Sequence, residues 1–234
     1  MITAIRTHKG KIRQSNQDSL LASNGLFPLY AVADGMGGHR GGNVASAMAV
    51  ACLSELDLSL PPDQARLNSA VQHANTLIWK RQMNDFSLSG MGTTLTVLWE
   101  GNQDVFLAHV GDSRAYLYRA GKLSQMTADH SLVGELLRSG AITPDTARNY
   151  PYRNIVTRAV GTEAKLQCDL IRADKQPLDR WLLCSDGLTE YATQENLILA
   201  MSMPLDSAAD ALLQLALDGG GRDNITLILL EVAG

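Results

Sequence analysis

The chain has 234 residues, 45% of them hydrophobic and 19% charged, which is enough for one sizeable core and gives no compositional sign of disorder. A net charge of −4 lacks the basic footprint of a nucleic-acid binder, and no apolar run approaches the length needed to span a membrane. Cys52, Cys168 and Cys184 are odd in number and set in apolar sequence, so buried free thiols fit better than a disulfide framework or a thiolate zinc site; the expected setting is a single soluble domain of the cytoplasm.

Taken in chain order, residues 2 to 7 alternate as a strand does, and His8-Lys9-Gly10-Lys11 turns the chain into a polar segment, Ile12 to Asp18. The apolar Leu20-Leu21-Ala22 reads as a strand that holds this segment at a sheet edge. Arg13 suits an oxyanion clamp, because a guanidinium matches two phosphate oxygens at once and keeps its charge; the plainer alternative is a surface ion pair with Asp18. Leu29 to Asp34 is a short apolar run bounded by Pro28 and Gly35, a buried strand that delivers Asp34 to a glycine-rich turn. Glycine at 35 would allow positive φ and leave a carbonyl beside the carboxylate, while an ordinary Asp-Gly turn is the alternative.

The Ala-rich stretch from Gly41 to Leu53 reads as a helix packed closely on a sheet. Pro61-Pro62-Asp63 opens a second helix to about Met83, with Leu67, Val71, Ala74, Leu77 and Ile78 on one face; His73, beside that face, reads as a packing or surface residue. Residues 93–99, 104–110 and 114–118 form three β-rich runs joined by short turns, which predicts an antiparallel meander with Asp112 in its second turn. Between 129 and 165 the periodicity fades apart from a short helix at about 132–139, as in an irregular excursion or lid, and His130 within it reads as a packing residue before it reads as an acid or base. Trp181 to Cys184 is another apolar strand that ends in Ser185-Asp186-Gly187, Ser207 to Leu217 is helical, and Gly219-Gly220-Gly221-Arg222-Asp223-Asn224 precedes a last strand from Ile225.

Asp34, Asp186 and Asp223 thus abut core strands, whose ends converge. Carboxylates gathered in one cleft repel and take up protons unless a cation neutralises them. With carboxylate and carbonyl oxygens and no thiolate or paired histidine, Mg²⁺ or Mn²⁺ fits better than zinc. Two such ions roughly 4 Å apart can ionise a water and neutralise a phosphoryl oxygen during in-line displacement.

Arg13-Gln14-Ser15-Asn16-Gln17-Asp18, Val32-Ala33-Asp34-Gly35-Met36-Gly37-Gly38, Gly92-Thr93-Thr94, Val110-Gly111-Asp112-Ser113-Arg114, Ser185-Asp186-Gly187 and Gly221-Arg222-Asp223-Asn224-Ile225-Thr226 together resemble, in order, the motifs of the PPM or PP2C metal-dependent protein phosphatases in their compact bacterial form. The resemblance implies an α+β fold, a central sandwich of two antiparallel β-sheets flanked by α-helices, and hydrolysis of phosphoserine and phosphothreonine in the substrates of a kinase. It implies that Asp34 bridges two Mn²⁺ or Mg²⁺ ions, that the Gly35 carbonyl, Asp186 and Asp223 complete direct coordination, and that Asp18 orients metal-bound water. Arg13 matches the phosphate-binding residue, Asp112 the ligand, with Asp186, of a third, weaker ion, and residues 129–165 the variable flap. A monomer acting through directly activated water, without a covalent phosphoenzyme, is the expected form. Two positions depart from the pattern. Gln17 stands where many relatives have Glu, and Met36 where eukaryotic members place a histidine proposed as general acid; Met carries no proton, and His39 is the nearby candidate in sequence. The competing reading is a pseudophosphatase that keeps the fold to bind phosphoproteins, against which the full set of metal-type acids counts.

Overall fold

The computed structural model describes residues 1–148 and 150–234, with the side chains of 38–40 and 148 outside the description. The chain opens with β1 (Ile2–His8), β2 (Asp18–Ala22) and β3 (Leu29–Met36), followed by the helices α1 (Gly38–Ser54) and α2 (Gln64–Asn84). Next come β4 (Gly92–Thr93), β5 (Leu95–Glu100), β6 (Asp104–Val110), β7 (Arg114–Arg119) and β8 (Lys122–Gln125). The excursion holds α3 (Leu132–Arg138) and α4 (Pro144–Arg148), and the chain closes with β9 (Asp169–Asp174), β10 (Arg180–Cys184), α5 (Asp186–Thr189), α6 (Gln194–Met201), α7 (Leu205–Gly219) and β11 (Ile225–Glu231).

One sheet runs β1-β11-β10-β7-β8 and the other β2-β3-β5-β6-β9, all neighbours antiparallel. The period of two along each strand explains why the core strands look continuously apolar: both faces are covered. Tyr30 and Val32 of β3 meet Trp181 and Leu183 of β10 and Ile228 and Leu230 of β11 between the sheets. Leu29, Ala31 and Ala33 face α1 and α2 on one side. Leu227 and Leu229, with Leu182, face α6 and α7 on the other. Helices thus cover both outer faces of a β-sandwich. Asp63 caps α2, its side chain accepting from the Ala65 N–H.

The meander expectation fails at its third run. β5 and β6 pair, but Gly111-Asp112-Ser113 carries the chain into the other sheet, where β7 pairs with β10 and β8. A short connection can step across a sandwich as readily as it can close a hairpin, and strand spacing alone does not separate the two. The excursion expectation holds for α3, whose Ser131 cap accepts from Gly134 N–H.

Candidate active site

The antiparallel pairing gathers the acids at one end. Asp34 lies near the exit of β3 and faces Asp18, at the start of β2, in register. Asp186 follows the end of β10, and Asp223 precedes β11, which is paired to it. Asp112 leaves β6 where β5 begins, since Leu95 pairs with Val110. Four acids, Asp34, Asp112, Asp186 and Asp223, line one cleft of about 820 Å³ together with Arg13, Gly35, Met36 and Thr94.

Two glycines set how closely these strand ends approach. A Cβ at Gly187 would collide with the Asn224 carbonyl oxygen, so glycine there lets the Asp186 and Asp223 turns touch. A Cβ at Gly35 would collide with the Gly42 and Gln17 carbonyls. The expectation of positive φ at Gly35 is corrected: Gly35 remains in β3, and the left-handed residue is Gly37, with φ 119°. Crowding, not backbone handedness, demands glycine at 35.

Backbone anchors hold the acids still. Thr94 Oγ1 accepts from the Asp34 N–H at 2.9 Å and meets Ser113 Oγ at 2.7 Å, while Thr93 Oγ1 donates to the Asp34 carbonyl at 2.9 Å. Asn224, buried to 3% exposure, donates to the carbonyls of Lys9 and Ser15 and accepts from the Gln17 N–H. It ties the segment bearing Arg13 to the turn bearing Asp223. These threonines and Asn224 carry no charge to mark them in the sequence, where they are legible only as members of the motifs Gly92-Thr93-Thr94 and Asp223-Asn224. Arg13 does not pair with Asp18. It reaches Asp223 at 2.7 Å and is half exposed.

Electrostatics register the crowding. Burial first, then the charges of neighbouring acids, pushes Asp18 and Asp112 up to about 7 and Asp186 up to about 6, and raises Asp34 well above the usual carboxylate range. Ser185 Oγ donates to Asp18 Oδ2 at 2.9 Å, whereas the buried Asp18 Oδ1 and Asp186 Oδ1 have no hydrogen-bond partner among the described residues. Buried carboxylate oxygens without donors, beside further carboxylates, are the donor set a hard divalent cation satisfies. Among the described residues no three His, Cys, Asp or Glu side chains by themselves form the shell of one ion.

His130 is a packing residue with a specific task. Its Nδ1 accepts from the Gly111 N–H at 3.1 Å, its backbone N–H donates to the Gly111 carbonyl at 2.7 Å, and its Nε2 lies 3.1 Å from Asp169 Oδ2. It therefore clamps the turn that carries Asp112. The His39 side chain lies outside the described residues. Cys52 and Cys184 are buried free thiols, as expected, and Cys168 is half-buried.

A two-sheet sandwich flanked by helices, with an acid-lined cleft at one end, defines the class of the metal-dependent phosphatases. The protein phosphatase 2C family model matches residues 7–216, and the chain belongs to that family. It is 40% identical over 245 residues to the serine/threonine phosphatase stp of Listeria welshimeri, covering 99% of this chain and 96% of that one. It is 40% identical over 233 residues to the serine/threonine protein phosphatase PstP of Mycobacterium tuberculosis, spanning 98% of this chain and 44% of that longer protein. The crystal structure of the M. tuberculosis phosphatase PstP/Ppp superimposes with a TM-score of 0.94 at 38% identity, covering 100% of this chain and 99% of that one. A PstP catalytic domain in complex with two manganese ions superimposes with a TM-score of 0.91 at 37% identity, covering 100% of this chain and 98% of that one.

Proposed function

We propose that the chain hydrolyses phosphoserine and phosphothreonine in phosphoproteins, as a metal-dependent enzyme carrying two Mn²⁺ or Mg²⁺ ions. The observation that carries this reading is the set of acids at one end of the sandwich, with two unpartnered buried oxygens among them and Arg13 beside them in the same cleft. Asp34, the Gly35 carbonyl, Asp186 and Asp223 would hold the two ions, Asp18 would orient a water through its Ser185-fixed carboxylate, and Asp112 with Asp186 would hold a third, weaker ion. When bound, the ions supply a water that is ionised near neutral pH and charge that offsets the phosphoryl oxygens.

The protein's own groups do the rest. Arg13, half exposed at the cleft mouth, exchanges its bond to Asp223 for the substrate phosphate, to which its planar fork donates twice. Met36 lines the cleft and has no proton to give, so the departing serine or threonine oxygen takes its proton from water or from a group other than residue 36. The reading extends to one catalytic unit over residues 1–234, with 129–165 as its flap, working as a monomer in the cytoplasm on the substrates of a serine/threonine kinase; among the described residues no helix is long and apolar enough to cross a membrane.

The test is hydrolysis of p-nitrophenyl phosphate and of a phosphothreonine peptide with Mn²⁺, with Mg²⁺ and with chelator. Turnover that requires metal is the expected result, and none under any condition refutes the enzyme reading in favour of a phosphoprotein-binding role.

A further inference from the structure

Phosphate chemistry accounts for the acids and Arg13, but not for the apolar side chains in the same cleft. Ile12 comes from near the start of the sequence and Ile155 from the excursion after β8, yet both line this cavity, along with Met36 and Val156. They are 69% and 47% exposed; what marks them among the exposed hydrophobic residues of this chain is that they share the cleft with Arg13 and the acids.

Ile155 is held in place by its own backbone bonds, and Ile12 by those of its neighbours. Ile12 sits between Lys11, whose N–H donates to the Gly221 carbonyl at 2.7 Å, and Arg13, bonded to Asp223. Gly10, just before, packs against the Gly221 and Asp223 carbonyls with no room for a Cβ. On the other wall, the Ile155 carbonyl accepts from the Leu132 N–H at 2.9 Å and its N–H donates to the Tyr152 carbonyl. Val156 bridges to Ser131, and Thr157 is fixed to the His130 carbonyl and to Glu135. Ile155 thus has its main chain fixed beside the cleft, and Ile12 follows a backbone bond at Lys11 that does not depend on the Arg13–Asp223 pair.

We infer that Ile12 and Ile155 form an apolar clamp that selects phosphopeptides with a large aliphatic or aromatic residue next to the phosphorylated serine or threonine. The inference rests on the phosphatase reading above. Its occupant follows from continuity: Ile12 is adjacent to the phosphate-binding Arg13 and Ile155 lines the same cleft, the space that residues flanking a phosphate at Arg13 would enter. Burying such a side chain in a hydrophobic pocket discriminates by about tenfold to a few hundredfold, and a clamp open on one side belongs at the low end.

The experiment compares kcat/KM for phosphothreonine peptides that differ only in having Leu or Ser on either side of the phosphothreonine, with p-nitrophenyl phosphate as a substrate lacking flanking residues. The parent is expected to prefer the Leu peptide about tenfold. Ile12→Ser with Ile155→Ser is expected to abolish that preference and leave p-nitrophenyl phosphate turnover unchanged. Equal rates for the two parent peptides would overturn the inference, as would a preference that survives the double substitution. Loss of p-nitrophenyl phosphate turnover in the variant would place the isoleucines in structural support and equally overturn it. A parent dimer that the substitutions dissociate, with peptide preference unaltered, would make a second copy the occupant and also overturn it. Absence of metal-dependent p-nitrophenyl phosphate turnover in the parent defeats the phosphatase reading itself, a separate outcome.

Discussion

At Gly187 a single hydrogen in place of a side chain sets the distance between two acids. Adding a methyl there drives it into the Asn224 carbonyl, so Gly187→Ala is expected to cost about 1–3 kcal/mol in urea unfolding and to weaken Mn²⁺ binding by parting Asp186 from Asp223; unchanged values for both would show that the turns can relax. Thr94 acts more quietly. Thr94→Val keeps the shape but removes the acceptor for the Asp34 N–H and the partner of Ser113 Oγ, and leaving such buried groups unpaired costs about 1–3 kcal/mol. The same measurement checks it, with a loss under about 0.5 kcal/mol contradicting the anchoring role. Asp34 and Asp186 stood out in the sequence because an acid beside glycine at a strand end is conspicuous, Asp223 because it stands between a glycine run and a strand, and Arg13 because a guanidinium in a polar segment suits an oxyanion. Thr94 and Asn224 stood out only as members of such motifs and without a role, because their work is done by hydrogen bonds to residues far away in the chain, which local pattern does not carry.

Among the elements, the antiparallel ends of β2, β3, β10 and β11 deliver the acids, and these strands were legible as apolar runs between turn residues. β8 and β9 were not. β8 is four residues of Lys-Leu-Ser-Gln, three of them exposed, and β9 mixes Asp and Arg into a half-buried edge strand, so neither shows a clear alternation. The helix α6 was passed over as well, although its Thr193 and Asn196 form a reciprocal cap. The crossing at Gly111 was read as a hairpin because nothing local encodes which sheet a strand joins. That crossing yields a prediction about His130. His130→Asn keeps an acceptor for the Gly111 N–H whereas His130→Ala does not, so the alanine variant is expected to lose about 1–3 kcal/mol more in urea unfolding. Equal losses would place the contribution at Asp169 rather than at the turn.

Across the whole molecule, the crowding of acids ties stability to pH. Asp18 and Asp112, pushed up to about 7, and Asp186, up to about 6, hold more protons folded than unfolded between their ordinary 3.8 and those values. Without metal, stability therefore falls as pH rises through that window. His109, buried and pushed down to about 4 from 6.5, acts oppositely: its contribution is lost as pH falls below 6.5, with or without metal, and cancels in a comparison of the two. The Tm gained on adding Mn²⁺ is thus expected to be larger at about pH 7.5 than at about pH 5.5. A gain that is flat or shrinks would contradict the electrostatic account.

The central claim is that the acids at the sandwich end hold divalent metal, and calorimetric titration with Mn²⁺ tests it most directly. The parent is expected to bind at least two ions per chain, and Asp34→Asn to lose that binding while unfolding cooperatively. A parent that binds no Mn²⁺, or an Asp34→Asn variant that binds as the parent does, would contradict it.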